Sequence, residues 1–173
     1  MSIYATTRVI DQIAHESLCH RIVDQLTQLQ DAPFGKAYGR DIRRAKRQII
    51  TDWHHVTEFV FDQLHFKGFH CDAYSPVWRA YRYDVDDYFK MHRDGASSTP
   101  GGMSTHTLLL YLNNDFEGGK TVLYEDDDNG RKMTVWPEPG RCLIFPHARL
   151  HESTTVVSGS KYVMRTDLLI KPE

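Results

Sequence analysis

Cysteine is scarce. Cys19, Cys71 and Cys142 are the three in a chain of 173 residues, far apart and odd in number. That excludes a disulfide framework and a zinc site built on cysteine, and makes a reducing cytoplasm the expected compartment. No apolar run approaches the roughly 18 residues that a transmembrane helix needs. The segment from Met1 to Arg8 has no apolar stretch followed by a small-residue cleavage site, so no signal peptide is expected. An excess of either charge is lacking too. The net charge of −2 gives no footing for nucleic acid or an acidic membrane as partner. Internal repeats and low-complexity linkers are absent. What remains is 40% hydrophobic and 25% charged, the composition of one globular domain spanning 1–173.

Histidine, by contrast, is abundant at ten residues, a first hint of metal chemistry. The N-terminal part, 1–70, reads helical. Leu18, Ile22, Leu26 and Leu29 recur at three- and four-residue steps and predict a helix over Ala14 to Leu29. A second is expected over Asp52 to Leu64, burying Trp53, Val56, Val60 and Leu64. Between them Arg40, Arg43, Arg44, Lys46 and Arg47 form either an anion-binding patch or, the plainer reading, a solvated helix face. From residue 76 to 171 the texture changes to short β-forming runs: Val77 to Tyr83, His106 to Leu112, Thr121 to Tyr124, Lys132 to Trp136, Arg141 to Phe145, Glu152 to Val157 and Tyr162 to Ile170. Turn signals separate them at Gly101-Gly102, Asn113 to Asp115, Gly118-Gly119, Asp128 to Gly130, Pro139-Gly140 and Ser158-Gly159. Many short strands preceded by helices predict an α+β chain with a sandwich, barrel or double-sheet jelly-roll core.

His92-Arg93-Asp94 is a His-x-Asp. Residues two apart on an extended strand share a face, so this imidazole and carboxylate can reach one ion. A second histidine would complete a facial triad, which leaves octahedral iron(II) with open positions. With 16 aspartates and ten histidines, about one such triplet is expected by chance. His70-Cys71-Asp72 is a second, in a loop with nothing resembling the rest of a site after it. Downstream, either His147 or His151 could supply the third ligand. A hairpin turning at Ser158-Gly159 would bring Lys161 back beside the strand that His151 opens. Lys161, Val163 and Arg165 then share a face, and inward-facing cations need an acidic partner such as a bound carboxylate.

Together these residues resemble the prolyl 4-hydroxylase-like branch of the 2-oxoglutarate/iron(II) dioxygenases, most strongly from Trp78 to Ile170. The family's Tyr-x-x-Gly-x-x-(Phe/Tyr)-x-x-His-x-Asp is matched from Tyr83 to Asp94, with Asp86 in place of the usual Gly. Its strand ending Tyr-Leu-Asn matches Thr107 to Asn113. Its Phe-x-Gly-Gly-x-Thr turn matches Phe116 to Thr121, its Pro-x-x-Gly strand is close to Pro137 to Phe145, and its Gly-x-Lys-Tyr is Gly159 to Tyr162. Five ordered matches are far more specific than any one of them.

The resemblance implies a double-stranded β-helix (jelly-roll) core with supporting N-terminal helices. It implies that His92, Asp94 and His151 bind iron(II), that Lys161 pairs with the distal carboxylate of 2-oxoglutarate, and that Tyr83, Thr107 and Tyr111 line the cosubstrate pocket. Arg165 would hold either cosubstrate or substrate. It also implies O2 as cosubstrate and stimulation by ascorbate. A carboxylate at Asp94 fills the position that halogenating relatives leave for chloride, so hydroxylation of an aliphatic carbon is expected, with release of succinate and CO2. The substrate, a prolyl residue in a peptide, a free amino acid or a small metabolite, stays open, because one scaffold hosts many. The loop Gly95 to Ser104 reads as a substrate lid or a plain connection. Two competing readings are a non-catalytic jelly-roll module that binds a metal or ligand, and a cupin-type metalloenzyme that needs no 2-oxoglutarate.

Overall fold

Alternation along the strands decides the architecture. In the computed structural model, which describes residues 7–32, 42–125 and 130–171, the larger sheet runs in spatial order β1 (Arg8–Ile10), β14 (Cys142–Pro146), β10 (His106–Tyr111), β17 (Lys161–Leu169), β6 (Trp78–Tyr83), β4 (Lys46–Ile50) and β2 (Gln30–Asp31). A short β5 (Ala73–Tyr74) also pairs with β17. The smaller sheet is β13 (Lys132–Val135), β12 (Thr121–Tyr124), β15 (His151–Ser153), β7 (Tyr88–His92) and β3 (Arg43–Arg44). Two ribbons, β8 (Ser98–Thr99) with β9 (Gly102–Met103) and β11 (Glu117–Gly118) with β16 (Val156–Ser158), lie outside both.

The central strands of the large sheet are buried on both faces. On β6, β10, β14 and β17 the even-numbered residues, among them Trp78, Ala80, Leu108, Leu110, Ile144, Met164 and Leu168, pack against the helices. The odd-numbered ones, Tyr81, Tyr83, Tyr111, Leu143, Phe145 and Val163, face the small sheet. One sheet therefore serves two cores, with helices on one side and a jelly-roll interior on the other. The expected α+β jelly roll is what forms.

The helices are α1 (Glu16–Asp24) and α2 (His54–Phe66). The Nδ1 of His15 caps α1 by accepting from the Ser17 N–H. The expected first helix is longer than the observed one. Leu26 is buried but not helical, because the chain must extend to pair β2 with β4. Helix α2 matches its expectation within two residues. It stops where Gly68 takes φ +81° and lets Phe69 N–H reach the Leu64 carbonyl. Trp78 ties the sheet to it by donating to Thr57 Oγ1 at 2.9 Å.

The largest departure is at the basic cluster. Arg43, Arg44, Lys46 and Arg47 lie on β3 and β4, not on a helix face. The segment 46–50 pairs residue for residue with β6, so sheet pairing overrides local propensity. Arg40 lies outside the described residues, as do Asp128 and Asn129 of one turn signal. Among its described residues the N-terminal part is thus a mixture of two helices and strands that complete both sheets. The Glu152 to Val157 run also divides, into β15 and β16.

Candidate metal centre

Strand pairing brings the first two ligand candidates together. In the small sheet His92 stands directly opposite His151, so their rings share a face, with centroids 4.2 Å apart. Each imidazole is aimed by its own backbone. His92 Nδ1 bonds to the Lys90 carbonyl at 2.8 Å, and His151 Nδ1 to the Arg149 carbonyl at 2.9 Å. Both bonds require a proton on Nδ1, which leaves the Nε2 lone pairs facing inward. Phe89 stacks on His92 at 3.4 Å, and Phe145 meets His151 edge-on at 4.6 Å.

Asp94 lies just past the end of β7, held by its N–H on the His147 carbonyl. Its Oδ1 is 3.6 Å from His92 Nε2, and its Oδ2 is 3.6 Å from His151 Nε2. The three donor atoms lie within 4.8 Å of one another. Burial pulls the pKa of His151 down to about 4, so its lone pair is free at neutral pH. Burial pushes the Asp94 carboxyl up, but the adjacent Arg165 guanidinium and the two histidines outweigh it, holding the group well below the usual carboxylate range. Two imidazole nitrogens and one ionised carboxylate brought together are the donor set that suits iron(II).

The triad opens on a narrow cleft between the sheets, which Tyr81, Tyr83, Leu109, Thr121 and Val163 help to line. Lys161 forms its far wall. It is only 1% exposed, and its Nζ donates to the Gly119 carbonyl at 2.6 Å and to Ser153 Oγ at 2.8 Å. Both acceptors are neutral. Burial therefore takes the ammonium down to about 7, with no acidic side chain among the described residues to offset it. The ring of Tyr83, cross-strand from Lys161, is 5.2 Å from Nζ. The Gly118-Gly119 turn makes this contact possible. Gly118 has φ +77°, and a Cβ there would lie 2.2 Å from the Thr155 carbonyl oxygen.

The sequence expectations fare unequally. The structure brings His92, Asp94, His151, Tyr83, Lys161 and Arg165 to one cleft. Thr107 and Tyr111 share a face as expected, and the Tyr111 ring lies 5.7 Å from Lys161 Nζ. Thr107 donates to Asp94 Oδ2 at 2.6 Å, and Tyr111 donates to Thr121 Oγ1, also at 2.6 Å. Leu109, between them on the strand, takes the lining position.

Arg165 lines the cleft, and part of its guanidinium is engaged by acidic side chains. It donates to Asp94 Oδ1 at 2.7 Å and to Asp167 Oδ1 at 3.0 Å. Lys161 reaches the small sheet across the interior, not by a hairpin. The chain turns at Ser158-Gly159 into the other sheet, so β17 lies across from β15. His147 is turned away from the triad, with its ring nitrogens on Thr107 and Ser104. The competing triplet is structural. Asp72 accepts from the Lys171 N–H, and His70 packs edge-on against His65.

Two participants had a readable signal that went unused. Asp167 continues the inward period 161, 163, 165, and Ser153 lies two past His151. The serines at 97 and 104 carried none.

Residues 78–166 match the model of the 2OG-Fe(II) oxygenase superfamily. A Fowlpox virus (strain NVSL) protein, FPV006/FPV255, is 35% identical over 89 residues, 51% of this chain and 20% of that protein. A PKHD-type hydroxylase from Shewanella baltica (strain OS155 / ATCC BAA-1091) is 30% identical over 93 residues, 51% of this chain and 39% of the relative. The matches thus span well under half the length of these relatives. Among solved structures, a Trichoplax adhaerens prolyl hydroxylase in complex with a hypoxia inducible factor oxygen degradation domain peptide fragment superposes with a TM-score of 0.74. The identity is 15%, covering 95% of this chain and 83% of that one.

Proposed function

Since the chain belongs to the 2OG-Fe(II) oxygenase superfamily, we propose that it is an iron(II)- and 2-oxoglutarate-dependent hydroxylase. Its reaction would insert one oxygen atom of O2 into an aliphatic C–H bond and the other into the succinate formed from 2-oxoglutarate, with loss of CO2. Iron(II) supplies the oxidative chemistry when bound. His92, Asp94 and His151 hold it. Their work would be geometric: fixed rings and an ionised carboxylate facing the cleft.

The observation that carries this reading is Lys161. A buried ammonium with only neutral acceptors, across the cleft from an N,N,O donor set, calls for a carboxylate ligand. The distal carboxylate of 2-oxoglutarate supplies that charge, while Tyr83 walls the same end of the cleft. Arg165 keeps Asp94 ionised and oriented. O2 as cosubstrate and ascorbate as a stimulant of turnover belong to the same proposal, as does action in a reducing, cytoplasmic setting.

For the substrate, the fold shared with a peptide-bound prolyl hydroxylase favours a prolyl residue in an exposed peptide segment. A free amino acid or small metabolite is the second choice.

The test is anaerobic addition of iron(II) and 2-oxoglutarate, watching for a weak visible charge-transfer band. We expect the band in the wild type, its loss in His92→Ala and its weakening in Lys161→Ala. Iron uptake with no band on adding 2-oxoglutarate would instead favour the binding-module or cupin-type readings.

A further inference from the structure

The two oxygens of Asp94 are held by two different arms, and both arms end in the loop from Gly95 to Ser104. One arm runs through Thr107. Its hydroxyl donates to Asp94 Oδ2 at 2.6 Å and lies 2.9 Å from His147 Nδ1. A hydroxyl has one proton, and here the carboxylate receives it, so His147 must donate from Nδ1. Its Nε2 is then an acceptor and takes the Ser104 hydroxyl proton at 2.9 Å. Ser104 Oγ in turn accepts from the Ser97 N–H at 2.8 Å.

The other arm starts from the same serine. Ser97 Oγ donates to Asp167 Oδ2 at 2.7 Å. Asp167 Oδ1 accepts from Arg165 Nη2 at 3.0 Å, and Arg165 Nη1 donates to Asp94 Oδ1 at 2.7 Å. Arg79 also donates to Asp167, at 2.9 Å. The polarity of every bond is fixed, with both carboxylates as the final acceptors. Thr107, His147, Ser104 and Asp167 are all under 9% exposed, so water does not compete freely for these bonds.

We infer that Ser97, Ser104 and His147 are positioning residues: they close a hydrogen-bonded ring that fixes the Asp94 carboxylate for the metal and couples the loop 95–104 to it. The inference rests on the metal-site reading proposed above. None of the three touches the donor atoms of the triad. Each acts through Thr107 or Arg165, as partners behind a metal ligand do. By linkage, metal binding must also steady the loop, since a coupling free energy acts in both directions.

Cobalt(II) is a suitable probe, because its visible d–d bands report both occupancy and ligand geometry without turnover. Ser97→Ala and Ser104→Ala should each weaken cobalt binding several-fold and alter the d–d bands. His147→Phe should weaken it about tenfold or more. His147→Asn, whose amide can stand in for Nδ1, should recover most of that loss. A packing role alone would give the reverse order, because phenylalanine fills the volume better. The double variant Ser104→Ala/His147→Phe should be no worse than His147→Phe, since both interrupt one arm. In the wild type, cobalt should slow amide exchange across 95–104, and His147→Phe should abolish that protection.

Wild-type affinity and bands in both serine variants would overturn the ring while leaving the metal site standing. If instead the wild type takes up no cobalt, or His92→Ala binds it equally well, the metal-site reading itself falls, and the ring with it.

Discussion

At the scale of single residues, Lys161 sets the pH behaviour of the ligand-free protein. Its ordinary value is 10.5, and burial takes it to about 7 in the folded chain. Between those two values the unfolded chain carries a proton that the folded one lacks. Stability therefore rises with pH from about 7 toward 10.5, and the full cost of the buried charge is felt below 7. Lys161→Met should accordingly stabilise the ligand-free protein, by roughly 1–2 kcal/mol at pH 6.5, with the gain shrinking toward pH 10. Denaturant unfolding at the two pH values measures this, and a gain independent of pH would contradict it.

The same residue makes the opposite demand on binding. A ligand carboxylate needs the ammonium, so above pH 7 the uptake of 2-oxoglutarate must take up a proton. Its affinity should fall with rising pH, approaching about tenfold per unit. Calorimetry in buffers of different ionisation enthalpy would show the proton directly, and Lys161→Met should lose it.

At the scale of elements, the turn before β7 tests how closely the chain follows its family. Asp86 stands where the family has glycine, and it adopts φ +68°, the left-handed conformation that glycine takes freely. The turn survives because aspartate is among the few side chains that tolerate this region. Hydrogen bonds brace it: Asp86 N–H to the Val156 carbonyl, Asp87 N–H to the Asp84 carbonyl and Asp84 N–H to Asp87 Oδ2, each 2.9 Å. Asp86→Val should cost roughly 1–2 kcal/mol, and Asp86→Gly should change stability by no more than a few tenths. Equal midpoints for all three proteins in urea would refute this account.

Elements also show what could be read in the sequence and what could not. Strands of the jelly roll announce themselves because their alternation and turns are local. Buried on two faces, β10 and β17 still read as β-rich runs bounded by Asn113 and Gly159. The basic segment 43–50 does not announce itself. Its strand identity comes from pairing with β6 and, for Arg43 and Arg44, with β7, some 30 to 45 residues on, a non-local fact. The His-x-Asp pair was legible as a local triplet, but a second triplet and two late histidines left the triad to the ordered family matches from Tyr83 to Tyr162. The hydrogen bonds of Thr107, Arg165 and the loop serines were not, because they depend on which rotamers the packed interior allows.

At the scale of the whole molecule, the large sheet separates two jobs. Its even-numbered face and the helices bury Leu64, Trp78, Leu110 and Met164 in one cluster, while its odd-numbered face encloses the cleft with the small sheet. The first cluster contains none of the charged residues of the site, and the bond from Trp78 to Thr57 of α2 lies within it. Truncation there should lower global stability without altering the site of molecules that remain folded.

Leu64 is fully buried on α2, so Leu64→Ala should cost about 2–5 kcal/mol. The cobalt and 2-oxoglutarate affinities of the folded fraction should stay within about twofold of wild type, as expected for sites with no shared partners. Tyr111→Phe, on the opposite face, should do the reverse. It removes the bond to the cleft residue Thr121, costing about 1 kcal/mol of stability but weakening 2-oxoglutarate binding measurably. Titrations run well below the unfolding midpoint of each variant separate the two effects. A large affinity loss in Leu64→Ala would mean that the helical layer and the cleft are one cooperative unit, and that the sheet between them transmits packing changes instead of isolating them.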